Sequence, residues 1–328
     1  MIRKQIIATS GVDRQNQQLS IEVLAENAKA FSAETAVTRM SINHDCTLLP
    51  IGKILSGSLK QLDSGDVALE VLIDDFADSF VPFKGPNGES LYFAESSYDS
   101  RPFIDFQSET LKKLNIMINL LNFTQDDYND IVAYLCNCCD AQVETTIAKS
   151  LLPTPEIVFN FVTGYLLGAL CKQTLSKTND KLSNDISDDL AKCYTAIKSA
   201  IKKIMQKITS RGQVVYIFTE PNQPIELVVK AKKVDTVLKA LEALKEYDIS
   251  QKVQQFNYYT NGNLKKIQFI YDENEFKWEM NYLTTNTGQV IGTKANYKRT
   301  IQMYHSVLES PTAGFSIGGT ATMESQEE

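Results

Sequence analysis

The sequence predicts an α+β protein in which a mostly-β N-terminal domain, a central helical segment and a small C-terminal α+β domain follow one another. Three changes of pattern support this class. Residues 1–107 contain short, turn-bounded runs with strand periodicity, residues 108–211 change to helical spacing, and residues 212–309 return to alternation within an antiparallel meander. Residues 310–328 are rich in Gly, Ser, Thr and Glu and are predicted to form a disordered tail.

The N-terminal domain is expected to contain four strands and one helix. The predicted strands cover residues 6–8, 37–42, 51–62 and 67–73. Ser20 is a typical N-cap, and the apolar residues after it recur at helical spacing as far as Phe31. The tetrad Asp63-Ser64-Gly65-Asp66 suits a hairpin turn between the last two strands. Residues 76–100 contain a Gly- and Pro-rich stretch, which predicts a long excursion or lid.

The central segment is expected to contain three helices. Thr124 caps the first helix, which runs to about Ser150. Thr154-Pro155-Glu156 combines an N-cap, a Pro at the first helical position and an acid, and therefore predicts a second helix that runs to about Ser176. A third helix covers about residues 187–211.

The C-terminal domain is expected to combine strands with a short amphipathic helix that begins at Val234. The predicted strands before it cover residues 214–219 and 225–231. In the following meander, aromatic and apolar residues from Phe276 to Tyr282 alternate with polar ones, which indicates one buried and one exposed face.

The chain has 328 residues with 33 Lys and Arg against 40 Asp and Glu, and its net charge of −7 argues against nucleic-acid partners. Residues 1–110 carry 9 basic and 16 acidic residues, so the excess of acid lies in this part. Six cysteines without a small disulfide framework, and the lack of a secretory signal pattern, predict a cytoplasmic location.

One polar segment is a candidate for chemistry. Asn43-His44-Asp45 is followed by Pro50-Ile51-Gly52-Lys53-Ile54, which opens the next predicted strand. An imidazole at the end of a strand can face a cleft and act as a general base for a nearby hydroxyl. His44 and Cys46 are two residues apart, so a Cys–His pair is an alternative, and a packed structural thiol is another.

With these residues the chain resembles the prohead proteases, the serine proteases that mature tailed-phage and herpes-type capsids. The resemblance covers about residues 5–75 and implies that residues 1–107 form a prohead-protease-like, β-rich domain. It also implies that His44 would be the base for a serine nucleophile. The family's serine lies on a later strand in a small-residue setting, and the corresponding stretch here offers Ser96 and Ser97, with no third triad member assigned.

A second candidate region is the central segment, where an almost entirely apolar run contains the Gly-xxx-Gly pair Gly164 and Gly168. Such a pair lets two helices approach closely, so we expect it to form an oligomer interface. The third helix presents a basic face. Its residues are Lys198, Lys202, Lys203 and Lys207. We expect this face to contact the acidic residues 1–110, within one chain or between subunits.

These observations favour an interaction or regulatory protein over an enzyme. The expected molecule is a homo-oligomer whose N-terminal domain recognises a protein partner without catalysis, and a phage-related or antiphage setting follows from the family resemblance alone. An active Ser/His endopeptidase is one alternative. A membrane-acting effector that uses helices within residues 155–211 is another. The cysteine and histidine spacings predict no metal site, and the lack of phosphate-binding glycine motifs predicts no cofactor.

Overall fold

The computed structural model contains two β-sheets with helices packed against them, which confirms the predicted α+β class. The structure describes residues 1–12, 18–94, 98–104, 114–119, 123–139, 141–146, 155–161, 180–208, 213–220, 223–244 and 248–309.

The smaller sheet is antiparallel and lies in the N-terminal region. Its strands are β1 (Ile2–Thr9), β2 (Thr38–Met40), β3 (Gly52–Gln61) and β4 (Val67–Asp75), in the order β1-β4-β3-β2. Helix α1 (Ile21–Phe31) begins where Ser20 Oγ accepts a hydrogen bond from Val23 N, and packs its apolar side on β3 and β4. The predicted helix start and the hairpin between β3 and β4 are confirmed.

The larger sheet has ten strands in the order β5-β6-β14-β13-β12-β11-β10-β9-β7-β8. The strands are β5 (Phe80–Lys84), β6 (Ser90–Ala94), β7 (Leu114–Asn119), β8 (Ala141–Thr146), β9 (Glu156–Phe161), β10 (Val214–Thr219), β11 (Ile225–Ala231), β12 (Leu264–Asp272), β13 (Lys277–Thr285) and β14 (Val290–Thr293). Neighbours are antiparallel except for β7–β8, β9–β10 and β11–β12.

Four helices cover one face of this sheet: α2 (Gln125–Cys138), α3 (Asp180–Lys207), α4 (Val234–Ala243) and α5 (Ile249–Tyr259). Their buried apolar residues join those of the strands in the main core. Helix α6 (Lys294–Glu309) instead joins the two sheets, because it contacts β6 and β14 while Tyr304 and Val307 pack into the core of the smaller sheet.

The helix predicted from Thr154-Pro155-Glu156 is wrong for residues 156–161, which form β9 between β10 and β7. A strand buried in the middle of a sheet is apolar along its whole length, and periodicity does not distinguish it from a buried helix. The first predicted helix is also too long, since α2 ends at Cys138 and β8 follows. The rest of the second predicted helix lies outside the described residues.

The excursion predicted at residues 76–100 contains a short 3₁₀ turn and then the two strands β5 and β6. Phe93 and Leu91 of β6 pair with β14, so a segment from the first third of the chain extends the sheet of the C-terminal region. The predicted tail, residues 310–328, lies outside the described residues.

Candidate functional site

His44 lies in a tight turn that connects β2 to the segment crossing the large sheet. Asp45 N donates to Ile42 O at 3.0 Å, and the two central residues, Asn43 and His44, have φ values of 50° and 56°. Positive φ at both central positions identifies a type I′ turn, for which Asn is a favoured residue. The half-buried His44 is therefore a turn residue beyond the end of β2, which stops at Met40, whereas the predicted strand extends to residue 42.

Asp45 connects this turn to the large sheet. Its carboxylate accepts hydrogen bonds from Thr47 N at 2.9 Å and Thr47 Oγ1 at 2.6 Å, and its Oδ2 lies 3.2 Å from Lys230 Nζ of β11. Burial by itself would raise the pKa of Asp45, but the Lys230 ammonium and the Thr47 donors lower the pKa below its usual value. Asp45 is therefore a charged anchor rather than an acid available for proton transfer.

The face of the large sheet opposite the helices carries a row of polar side chains, which we call the polar row. Strand register places its members side by side across seven neighbouring strands: Gln142, Asn115, Asn160, Thr219, Glu226, Gln268 and Tyr282. Gln268 and Asn115 are 0% exposed, and Glu226 is 5% exposed. Buried polar groups need partners, and the row obtains them from neighbouring side chains of the sheet and from the segment that covers it.

The segment after His44 supplies partners to two members of the row, Gln268 and Tyr282, through its main chain. Cys46 O accepts from Gln268 Nε2 at 3.0 Å and from Tyr282 Oη at 3.3 Å. Thr47 O accepts from Asn281 Nδ2 at 2.9 Å. Cys46 and Thr47 are 2% and 0% exposed, so the segment is fastened to the sheet by buried hydrogen bonds.

A β-bulge places Asn281 in this site. The register of β12 with β13 shifts between Gln268, which pairs with Tyr282, and Phe269, which pairs with Met280. Asn281 is therefore an extra residue, and its Nδ2 donates to Gln268 Oε1 at 2.5 Å as well as to the covering segment. A bulge re-aims a side chain in this way without interrupting the sheet.

Helix α6 closes the other side of the same segment. Arg299 donates to Thr47 O at 2.5 Å, and Thr300 Oγ1 accepts from Leu49 N at 3.0 Å. The segment is thus held between the polar row and a helix from the end of the chain.

The charges in the site are compensated. Glu226 Oε2 lies 3.1 Å from Lys266 Nζ, and Glu226 Oε1 accepts from Gln268 Nε2 at 2.5 Å. Burial opposes the charge on Glu226, but Lys266 and then Arg39 lower its pKa below the usual value. Arg39 donates to Tyr282 Oη at 3.4 Å; burial disfavours its charge, yet the phenol and the buried carboxyls hold its pKa above the usual value.

Two groups in the site have raised pKa values. Burial raises the pKa of Glu156 to about 7, although Arg39 and a hydrogen bond from Cys46 N at 3.4 Å oppose this shift. Burial, with the nearby carboxyls, raises the pKa of the Cys46 thiol well above its usual value. A thiol that stays protonated is a poor nucleophile, so the geometry favours the structural interpretation of Cys46 over a reactive Cys–His pair.

Of the predicted catalytic residues, the structure describes His44 alone. Ser96 and Ser97 lie outside the described residues, as do Gly164 and Gly168 of the predicted oligomer interface. Among the described residues, no group of three or more His, Cys, Asp and Glu could hold a metal ion.

The basic face of α3 has a partner other than the predicted one. Lys203 Nζ lies 2.8 Å from Asp130, and Lys207 Nζ lies 2.9 Å from Asp127 and 3.0 Å from Asp130, both on α2. Within one chain, these two lysines therefore pair with the acidic first turns of α2 and not with residues 1–110 as expected; a contact between subunits stays a prediction. Lys198 and Lys202 form no ion pair with any residue that the structure describes.

No helix within the described part of the chain is long and apolar enough to cross a membrane. The predicted membrane-acting region 155–211 also begins with a strand instead of a helix.

Sequence reasoning missed the polar row and its covering contacts. The signal was present but weak: Glu226 and Gln268 each lie between two apolar neighbours within the strands Ile225–Ala231 and Leu264–Asp272. A single polar residue in a strand is common at exposed positions, and only the strand register shows that these two lie together.

Comparison of the chain with protein-family models, curated proteins and solved structures finds no match.

Proposed function

We propose that this chain is an interaction protein whose N-terminal region, including the prohead-protease-like segment, acts as a recognition module without catalysis. One observation carries the proposal: the residues directly after His44 are used to fasten the N-terminal region to the large sheet. The carbonyls of Cys46 and Thr47 accept buried hydrogen bonds, and Asp45 is paired with Lys230.

This arrangement favours a structural role of the Asn43-His44-Asp45 segment over a catalytic one. A catalytic base needs a nucleophile within hydrogen-bond reach and room for a substrate. Instead, His44 lies within a type I′ turn, and the residues after it are held on the large sheet by hydrogen bonds such as that from Tyr282 Oη to Cys46 O. A segment held in this way suits a fixed surface that presents the N-terminal sheet to a partner.

The test is an intact-mass time course on the purified full chain, alone and with a denatured protein substrate. His44→Ala is compared with the wild type, and His305→Ala is the matched control because His305 is the other histidine of the chain and lies exposed on α6. We expect one uncut mass for all three proteins and an intact substrate. Discrete cuts in the wild type and in His305→Ala that disappear in His44→Ala would overturn the proposal in favour of the endopeptidase.

Self-association is the second part of the proposal, and the spacing of Gly164 and Gly168 supports it. Light scattering on the wild type should give a mass larger than the 36.8 kDa of one chain. Gly164→Leu should reduce this mass, because a large side chain prevents close approach. A wild-type mass of one chain, or an unchanged mass in Gly164→Leu, would contradict this part.

A further inference from the structure

A groove opens between β5, β6, the β13–β14 hairpin and the C-terminal end of α5. It has a volume of about 320 Å³. Its apolar wall is formed by three aromatic rings and Ile291. The ring centroids of Phe83 and Phe93 lie 5.4 Å apart at 86°, and those of Phe83 and Tyr259 lie 6.1 Å apart at 24°. Tyr259 Oη donates to Lys84 O at 2.7 Å, so this wall is fixed in place.

The other lining residues carry neutral polar side chains. Asn261, Asn263 and Gln289 line the groove and are exposed, and their carboxamides make no hydrogen bond to the described residues. Their backbones are held: Asn263 N donates to Thr260 O at 3.1 Å, and Gln289 O accepts from Thr285 N at 3.1 Å. The groove therefore presents free carboxamide donors and acceptors from a fixed frame, with no charged side chain in its lining.

We propose that this groove binds a neutral segment of a partner polypeptide. A carboxamide offers one donor group and one acceptor, which match the C=O and N–H of a peptide group. The aromatic wall and Ile291 accommodate an apolar side chain of the segment. An uncharged lining gives no compensation for a buried charge, so a charged residue at that position would be excluded. The net charge of −7 disfavours a nucleic-acid strand as the occupant.

The neighbouring sheet edge explains why side chains would hold the segment. β5 is an edge strand of the large sheet, but it contains Pro82, which lacks an N–H. Gly85 N donates to Glu89 O at 2.9 Å across the hairpin. Hydrogen-bonded and non-hydrogen-bonded pairs alternate along antiparallel strands, so Pro82, three residues before Gly85, has its backbone N and O on the side of the free edge. Addition of a partner strand to β5 is therefore impaired, and the carboxamides of the groove are the available donors.

The experiment uses the full chain as bait for a phage-displayed library of random 12-residue peptides, and the enriched sequences are made as labelled synthetic peptides. Binding is measured by fluorescence anisotropy. Asn263→Ala combined with Gln289→Ala should weaken binding about tenfold or more, since two hydrogen bonds are lost. Asn263→Trp, which fills the groove from an exposed position, should abolish binding. Replacing the apolar anchor of the peptide with Asp should abolish it as well.

Gln251→Ala combined with Gln302→Ala is the matched control, because both residues are exposed on helices and neither is among the lining residues. This control should bind as the wild type does, and circular dichroism should show that all variants are folded. Failure to enrich any peptide, or binding that survives Asn263→Trp, would overturn the proposal. Binding of a neutral oligosaccharide array that Asn263→Trp abolishes, without peptide binding, would overturn the assignment to a polypeptide.

This inference is independent of the chemistry of His44, which is not among the lining residues. Cuts that depend on His44 would overturn the proposed function and leave the groove assignment standing. Loss of the groove assignment would likewise leave the non-catalytic role of the N-terminal region untouched.

Discussion

Replacing Gln268 tests whether the polar row holds the N-terminal region on the large sheet. Its amide is fully buried and makes three close contacts, in addition to a long one of 3.5 Å from Nε2 to Tyr282 Oη. Nε2 donates to Cys46 O and to Glu226 Oε1, and Oε1 accepts from Asn281 Nδ2. Gln268→Leu removes all three contacts while it keeps a side chain of similar size. The substitution therefore acts on hydrogen bonding more than on packing.

The expected loss of stability follows from those three bonds. Each partner keeps one other hydrogen bond or ion pair, so the cost is that of the lost bonds and not the larger cost of orphaned buried groups. Two neutral bonds at about 1 kcal/mol each and one bond to a carboxylate at about 2 kcal/mol give about 4 kcal/mol. The added apolar surface of Leu returns about 1 kcal/mol. We expect the free energy of unfolding to fall by about 3 kcal/mol.

Urea unfolding followed by tryptophan fluorescence measures this loss. Trp278 is the only tryptophan of the chain, is 1% exposed on β13, and donates to Ala240 O at 2.9 Å, so its emission reports the unfolding of the large sheet. Gln302→Ala, on the exposed side of α6, is the control and should change stability by less than about 0.5 kcal/mol. A loss below about 1 kcal/mol in Gln268→Leu would refute a stabilising role of the network.

Three further predictions concern other parts of the fold. In the folded chain the pKa of Glu156 is about 7, whereas in the unfolded chain this carboxyl loses its proton near the usual pKa of 4.5. The free energy of unfolding should therefore fall as pH rises from 5 to 7.5. Glu156→Gln should flatten this pH dependence in urea titrations, and equal slopes in variant and wild type would contradict the prediction. Gly288→Ala should cost more than about 2 kcal/mol, because its φ is +68° and a Cβ would clash with the backbone oxygen of Arg101. Gly88→Ala, with φ +78° and open space around it, should cost about 1 kcal/mol, and similar thermal shifts in the two variants would count against the clash. Asp130→Ala should lower stability only slightly, because Asp130 and its two lysine partners lie near the surface, and urea titrations should show that the difference vanishes in 1 M salt. A loss that does not depend on salt would indicate packing instead.

Local signals in the sequence predicted most of the helices and strands that depend on residues close to one another in the chain. Ser20 and Thr124 begin α1 and α2 by accepting hydrogen bonds from Val23 N and Asp127 N, as their sequence context indicates. The strands predicted at 214–219 and 225–231 have the bounds observed for β10 and β11. Caps, turns and alternating runs act over three or four residues, so they can be read directly from the chain.

Where tertiary pairing competes with a local signal, pairing decides. Thr154-Pro155-Glu156 has the form of a helix start, yet Ile157–Phe161 enters the middle of the large sheet, where β10 and β7 satisfy its backbone on both sides. Burial of both faces offsets the helix preference, because every side chain of the run is apolar or paired.

The composition, the charge distribution, the capping residues and the alternating strands were determined by the sequence alone, and so was the α+β class. The candidate site was decided only by the tertiary structure. Gln268 and Asn281 meet the carbonyls of Cys46 and Thr47 across more than two hundred residues of chain. The physical reason is that strand register and a single β-bulge, both products of long-range pairing, bring these polar groups into contact and make them one another's hydrogen-bond partners.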